Sequence, residues 1–386
     1  MISNITPTIK YIGVDDLDID LFESQYVVPN GVSYNSYLIE DEKIAIMDTA
    51  DARKGKDWWA NLEEALNGRK PSYLVVHHME PDHASLVAEV ADKYPEIKIL
   101  TSEKAVKMLG QFFPEKDLTA NIEVIKEGDS VCLGEHTLTF YAAPMVHWPE
   151  VMVSYDAKDK VLFSADGFGK FGALSADEDW ACEARRYYFN ICGKYGAPVQ
   201  KLLKKAAALD IAVICPLHGP VLKENLGYYI GLYDTWSKYD AETEGVLIAY
   251  ASIHGGTKVV AEKVAEMFRE KNVGKVAITD LCRDDMAEAI EDAFRMNRLV
   301  LAAASYDASV FPPMYDFIHH LEMKAYQNRK VGIIENGSWA PSAAKTMKKQ
   351  LESFKNIEIV EPTVTIWSRL KDSDLPQLQA LVDAMA

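Results

Sequence analysis

Four short polar clusters, each just past an apolar run of strand character, constrain this chain more than any other feature. The first is His78-Met79-Glu80-Pro81-Asp82-His83, after Tyr73-Leu74-Val75-Val76. The second is His147-Trp148-Pro149-Glu150, after the strand pattern of residues 138–143. The third is Asp166, after Val161-Leu162-Phe163-Ser164, and the fourth is His218-Gly219-Pro220, after residues 211–215. Strand ends are where an α/β scaffold aims side chains from distant segments at one point. Four imidazoles (His78, His83, His147, His218) and three carboxylates (Glu80, Asp82, Asp166) converging there would hold two metal ions. Neutral imidazole and carboxylate suit borderline-to-hard divalent metals. A carboxylate can bridge two ions, and Asp166, arriving alone, is the natural bridge. A single histidine such as His147 or His218 is more often a core residue than a ligand. Four ligand-capable groups within six positions do not, because they are costly to bury unpaired.

At 386 residues the chain should form two domains. A net charge of -17 argues against nucleic acid or an anionic membrane surface as partner. The five cysteines (Cys132, Cys182, Cys192, Cys215, Cys282) show no paired C-x-x-C spacing. They read as free thiols of a reducing compartment and leave no room for a rubredoxin-type iron site. No basic segment precedes an apolar stretch near Met1, and no apolar run approaches membrane-span length, so a cytoplasmic location is expected. The polar stretch Asp240-Ala241-Glu242-Thr243-Glu244-Gly245 reads as the joint, giving domains at 1–244 and 245–386. In the first, paired strands are expected within residues 27–47, with turns at Pro29-Asn30-Gly31 and Glu40-Asp41-Glu42. Helices are expected at residues 58–66 and at residues 84–94, the latter stopped by Pro95.

From residue 246 a βαβ rhythm sets in, with strands at 246–251, 299–304 and 331–334 and helices at 257–271 and 343–354. The length fits one doubly wound five-stranded domain. Ser252-Ile253-His254-Gly255-Gly256-Thr257 joins its first strand to its first helix. A phosphate wants unpaired backbone N–H groups, small residues and the positive end of a helix. There is no G-x-G-x-x-G and no G-x-x-x-x-G-K-[ST], so dinucleotide and nucleoside triphosphate readings lose ground. Two further loops, Ser305-Tyr306-Asp307-Ala308-Ser309 and Asn336-Gly337-Ser338-Trp339-Ala340, follow later strands. Small residues there allow backbone contact with a flat ring and Trp339 offers an aromatic flank, so FMN is the expected ligand.

The run His78–His83 resembles the H-x-H-x-D-H signature of the metallo-β-lactamase superfamily, with Glu80 in place of the second histidine. That exchange adds charge and oxygen donation, which moves the site away from a hydrolytic zinc pair and toward a di-iron carboxylate site. H-x-E-x-D-H followed by a distant His, Asp and His resembles the flavodiiron proteins, and the likeness runs along the whole chain. It implies an α/β fold: a metallo-β-lactamase-like αββα sandwich followed by a flavodoxin-like doubly wound parallel sheet. It implies FMN and two non-haem irons per subunit. One iron would be held by His78, Glu80 and His147, the other by Asp82, His83 and His218, with Asp166 bridging. Tyr195 and Tyr26 would face the pocket. The chain departs from the family at Asn30, where many relatives carry His, and at Ala304-Ser305, where Pro-Thr is common. The implied activity is reduction of O2 to water with four electrons, of NO to N2O with two, or of both. A separate donor, such as rubredoxin or the reduced deazaflavin F420, would supply them. A head-to-tail homodimer or dimer of dimers would place the flavin of one subunit beside the irons of its partner. The competing reading is a metallo-hydrolase fused to an FMN-binding domain.

Overall fold

The computed structural model describes residues Ile2–Ala386. They form two compact units: residues 2–188 with Ala197–Tyr233, and Phe189–Gly196 with Asp234–Ala386. The strand Thr243–Ala251 starts inside the stretch read as a joint, because Gly245 N–H donates to Asn297 Oδ1 (3.0 Å) and Glu242 N–H to the Arg295 carbonyl (3.0 Å).

The first unit contains two facing sheets. Seven strands run in the order Ser3–Asn4, Ile9–Tyr11, Tyr37–Ile39, Ala45–Met47, Tyr73–Val75, Lys98–Thr101, Ile122–Val124. Five more run in the order Ser130–Cys132, Thr137–Ala142, Met152–Asp156, Val161–Phe163, Val213–Cys215. Alternate residues of both sheets meet in one core: Tyr37, Ile39, Ala45, Met47, Val75 and Leu100 against Leu138, Phe140, Met152, Val161, Phe163 and Val213. The period of two along each strand produces this division. The strand Ala45–Met47 is parallel to Tyr73–Val75, and Val161–Phe163 is parallel to Val213–Cys215. Loops leaving the ends of each parallel pair therefore emerge side by side, and three of the four polar clusters are such loops.

Two local expectations change. The turn Glu40–Glu42 does join antiparallel neighbours, but Pro29–Gly31 does not: Tyr26–Val27 pairs with Leu21–Phe22, and Val32–Tyr34 with Val14–Asp16. The helix expected from residue 84 begins earlier, as Pro81–Ala84, and a second helix follows at Val87–Lys93. Proline at the first helical position has no N–H to lose, and this sets Asp82 and His83 on the opening turn. The helix Glu103–Phe112 is capped by Ser102, whose Oγ accepts from Ala105 N–H (3.3 Å) and donates to the Glu150 carbonyl (2.8 Å). Ser102→Ala should cost about 1 kcal/mol in a urea unfolding curve, the usual worth of such a cap.

The second unit is a parallel sheet in the order Lys275–Asp280, Thr243–Ala251, Met296–Tyr306, Arg329–Asn336, Ile357–Ile366, with Ser309–Val310 hairpinned onto the third. Counted along the chain this is the order 2-1-3-4-5 of the flavodoxin-like fold, whose ligands sit at the carboxyl ends of the strands. The helices Gly256–Glu270 and Leu375–Met385 pack Val260, Val264, Phe268, Leu378 and Leu381 onto Val246, Ile248 and Val364. Among the described residues, no helix is long and apolar enough to cross a membrane.

Candidate functional site

The four clusters meet. His78 Nε2 lies 3.1 Å from Glu80 Oε2 and 3.5 Å from Asp166 Oδ2. His147 Nε2 is 3.1 Å from each of those same two oxygens. On the other side, His83 Nε2 and His218 Nε2 each lie 3.3 Å from Asp82 Oδ2. Asp166 spans the two groups: its other oxygen, Oδ1, is 3.2 Å from His83 Nε2 and 4.0 Å from His218 Nε2. All seven residues are buried except Glu80, which is partly so. Two trios thus face one carboxylate, one trio per oxygen.

The outer ring nitrogens decide what the inner ones can do. His78 Nδ1 lies 2.7 Å from Glu150 Oε1, which can only accept, so Nδ1 carries the proton. His218 Nδ1 likewise donates to the Ser33 carbonyl (2.7 Å). In each neutral ring the inner Nε2 then presents a lone pair to carboxylate oxygens that also hold lone pairs. Asp82 Oδ1 and Oδ2, His83 Nε2, Asp166 Oδ1 and His218 Nε2 are buried without a hydrogen-bond partner. Such an arrangement is stable only around positive charge, and two divalent ions fit it. Glu150 and the Ser33 carbonyl are the outer partners that orient metal-ligating imidazoles.

Electrostatics agree. Burial opposes charge on His78, but Asp166, Glu150 and Glu80 outweigh it and hold its pKa well above the usual histidine range. His83 and His147 are raised to about 9 by the same contest, won by Asp82 and Asp166 for the first and by Asp166 and Glu80 for the second. Against the push of burial, the imidazoles hold Glu80 and Asp166 below the carboxylate range. These raised histidine values stabilise the metal-free chain below an ordinary histidine pKa of ~6.5, and that contribution is lost as pH rises through about 9. Metal must displace the same protons. Fe2+ retention in anaerobic dialysis should therefore strengthen from neutrality up to about 9 and then level off.

Sequence reasoning missed the supporting groups. His77, next to His78, turns away: Nδ1 is 2.5 Å from Asp48 Oδ2 and Nε2 is 2.8 Å from Ser154 Oγ. Opposite facing of adjacent extended residues is the signal that separates the two histidines. Asn30 donates to Glu178. Tyr26 packs on Phe171, with ring centroids 5.8 Å apart. Tyr195 belongs to neither ligand cluster; it sits half-buried in the turn Gly193–Tyr195, which groups with the second unit.

In that second unit, a cavity of about 950 Å³ opens at the strand ends, lined by Ser252, His254, Gly255, Gly256 and Thr257, by Ser305, Tyr306, Asp307 and Ala308, and by Asn336, Gly337, Ser338 and Trp339. The helix Gly256–Glu270 starts at this cavity after Gly255, whose φ of +85° suits glycine. A Cβ on Gly256 would stand 2.7 Å from the Ser368 carbonyl. Ser309 is not in the lining: its Oγ is 3.2 Å from Thr346 Oγ1, and it faces a neighbouring hollow with Pro312 and Pro313. The Ser305 oxygen is engaged as well, accepting from Ser342 and Ala343 N–H (2.8 and 3.2 Å). Ser368 and Arg369 line the cavity too. They were missed because the strand before them, Ile357–Ile366, went unrecognised; its carboxyl end obeys the same rule. A helix start for a phosphate, small residues for a ring and the 87 % exposed Trp339 as a flank fit a flavin mononucleotide.

Comparison with known proteins follows the same division. The family described as ODP family beta lactamase matches residues 32–219. The chain is 28% identical to a nitric oxide reductase of Moorella thermoacetica, covering 98% of this chain and 96% of that one. The structure superposes on the rubredoxin oxygen:oxidoreductase of Desulfovibrio gigas with a TM-score of 0.92 at 25% identity, covering 100% of this chain and 98% of that one. The flavodiiron protein of Giardia intestinalis shares the fold, with a TM-score of 0.93 at 22% identity, over 100% of this chain and 96% of its own. The chain is thus similar, over essentially its whole length, to a nitric oxide reductase and to a rubredoxin oxygen:oxidoreductase.

Proposed function

We propose that this chain reduces O2 to water, NO to N2O, or both, at a non-haem di-iron site fed by FMN. The observation that carries the reading is Asp166, whose two oxygens face separate trios, His78, Glu80 and His147 on one side and Asp82, His83 and His218 on the other. When bound, the reduced flavin holds two electrons and the diferrous pair two more, together the four that O2 needs. A zinc hydrolase is disfavoured by Glu80, a carboxylate where the hydrolytic pattern has an imidazole. Residues 1–244 would hold the irons and residues 245–386 the flavin.

The chain's own residues shape the reaction space. Glu150 and the Ser33 carbonyl keep protons on the outer nitrogens of His78 and His218, so that the inner lone pairs would be free to hold metal. Trp148 stands edge-on to His78 at 5.1 Å and Phe22 to His218 at 5.4 Å, walls that exclude water. A hollow of about 260 Å³ reaches Glu80 and Asp82 past Phe22, Glu23, Tyr34 and Arg53. It suits a diatomic substrate, and at its rim the Arg53 guanidinium pairs with Asp51 (3.0 Å) and donates to Tyr34 Oη (2.8 Å).

The electron donor is taken to be a separate protein such as rubredoxin, or reduced F420. The working form is taken to be a head-to-tail homodimer or dimer of dimers in the cytoplasm; a fully active monomer by sedimentation would contradict this. The experiment is anaerobic stopped-flow on iron- and FMN-loaded protein reduced by four electrons and mixed with O2 or NO. Fast flavin reoxidation by O2 without peroxide, or by NO with N2O formed, is the expected result. Slow reoxidation by both overturns the reading, as does stoichiometric zinc with ester turnover.

A further inference from the structure

A third cluster of donors lies in the first unit, away from the four loops above: His136, Asp156 and Asp159. His136 and Asp156 are both 0% exposed, and Asp159 is partly buried. They come from two turns: His136 lies in one, and Asp156 and Asp159 share the other. His136 precedes the strand Thr137–Ala142, Asp156 ends Met152–Asp156, and Asp159 lies before Val161–Phe163. The cluster is at the far end of those strands from His147 and Asp166, roughly 15 Å away by strand rise.

The hydrogen-bond accounting leaves a gap. Thr6 Oγ1 donates to Asp159 Oδ2 (2.5 Å), and Thr8 Oγ1 donates to the same oxygen (3.3 Å). When the one hydroxyl hydrogen of Thr8 goes to Asp159, its 2.9 Å contact with His136 Nε2 is donated by the ring. In the neutral ring, Nδ1 then carries the lone pair. It lies 3.1 Å from Asp156 Oδ2, without hydrogen-bond alignment, and that oxygen accepts from Asp159 N–H (2.9 Å). Asp156 Oδ1 is also buried without a partner. A lone pair facing a carboxylate oxygen in a dry core is repulsive unless a cation joins them. The pattern repeats that of Asp82, His83 and His218, where 3.3 Å separations also lack partners. Two ligands of a tetrahedral ion at ~2.1 Å lie ~3.4 Å apart.

We propose that His136 Nδ1, Asp156 and Asp159 bind a single divalent cation of the zinc class, separate from the di-iron site. One imidazole and two carboxylates are a donor set such an ion accepts, and their charge of minus two matches it. The ion would tie the turn carrying Thr6 and Thr8, beside the first sheet, to three strands of the second. Its role is then structural, holding the two sheets in register behind the reaction centre.

The test uses the iron- and FMN-loaded full-length protein, dialysed against micromolar Zn2+ and analysed for metals, with thermal unfolding alongside. One zinc per chain beyond the irons is expected, with a higher midpoint than in zinc-free protein. Asp156→Asn should lose that zinc and the shift while keeping its irons. Should Asp156→Asn not fold, Asp159→Asn, at the partly buried position, should bind zinc at least tenfold more weakly. If the unaltered protein holds no zinc beyond its irons, or if both variants retain it, the proposal fails.

Discussion

Replacing Asp166 by asparagine is expected to strip both irons and to lower O2 or NO turnover at least ~100-fold while leaving FMN bound. Loss of an outer-shell partner alone typically costs ~10–100-fold in metal affinity or activity, and Asp166 would be an inner ligand to both metals. Its oxygens stand 3.1 Å from His147 Nε2 and 3.2 Å from His83 Nε2. An amide keeps one weak oxygen donor and sets an NH2 group against the other trio, and it removes the negative charge that balances the cations. Iron and flavin per chain, measured on the same sample, separate this from unfolding. Retention of both irons by Asp166→Asn would refute the bridging assignment. His147→Asn should lose iron and activity in the same way with FMN intact, since His147 Nε2 lies 3.1 Å from both Glu80 and Asp166.

Asn336→Ala is expected to weaken FMN binding ~30–100-fold with iron content unchanged. The Asn336 side chain is 93% shielded, at 7% exposure, and it pins two walls of the cavity together. Its Nδ2 donates to the Ser368 carbonyl (3.1 Å), and its Oδ1 accepts from Ser368 N–H (3.1 Å). Two such bonds are worth roughly 2–3 kcal/mol, and each ~1.4 kcal/mol is a factor of ten. The loops they join carry Trp339 and Arg369. Flavin fluorescence titration reads the effect. Ser368→Ala is the control, because it removes only the exposed contact between the Ser368 and Ser338 hydroxyls (2.9 Å) and should matter far less. Equal FMN affinity in Asn336→Ala and the parent protein would mean that the two loops are held by other contacts.

Local pattern made much of this legible. The apolar runs before His78, Asp166 and His218 are strands, and ligand-type residues do sit at their ends. The turn at Ser252–Thr257 does begin a helix at a cavity. What failed failed for stated reasons. Lys275–Asp280 and Ile357–Ile366 are sheet edges with partly exposed residues along them, so their hydrophobic signal is broken, and Ser368 and Arg369 were lost with the second. Ser309 was placed at the cavity by counting along a loop, but that loop folds back as the strand Ser309–Val310 and takes it away.

By itself the sequence determined the chemistry available: imidazoles and carboxylates after strands, Glu80 where a hydrolytic pattern has histidine, and a glycine-rich turn without a dinucleotide fingerprint. Those are properties of residue type and short-range order, which the chain carries wherever it goes. Tertiary structure alone decided direction and partnership. It chose His78 over His77, gave each Asp166 oxygen its own trio, set Glu150 behind His78, and brought Thr6 and Thr8 to His136 and Asp159. Each of these rests on packing between segments far apart in the chain, 153 positions in the case of Thr6 and Asp159. No local window contains that information, because it is set by which faces the core buries against each other.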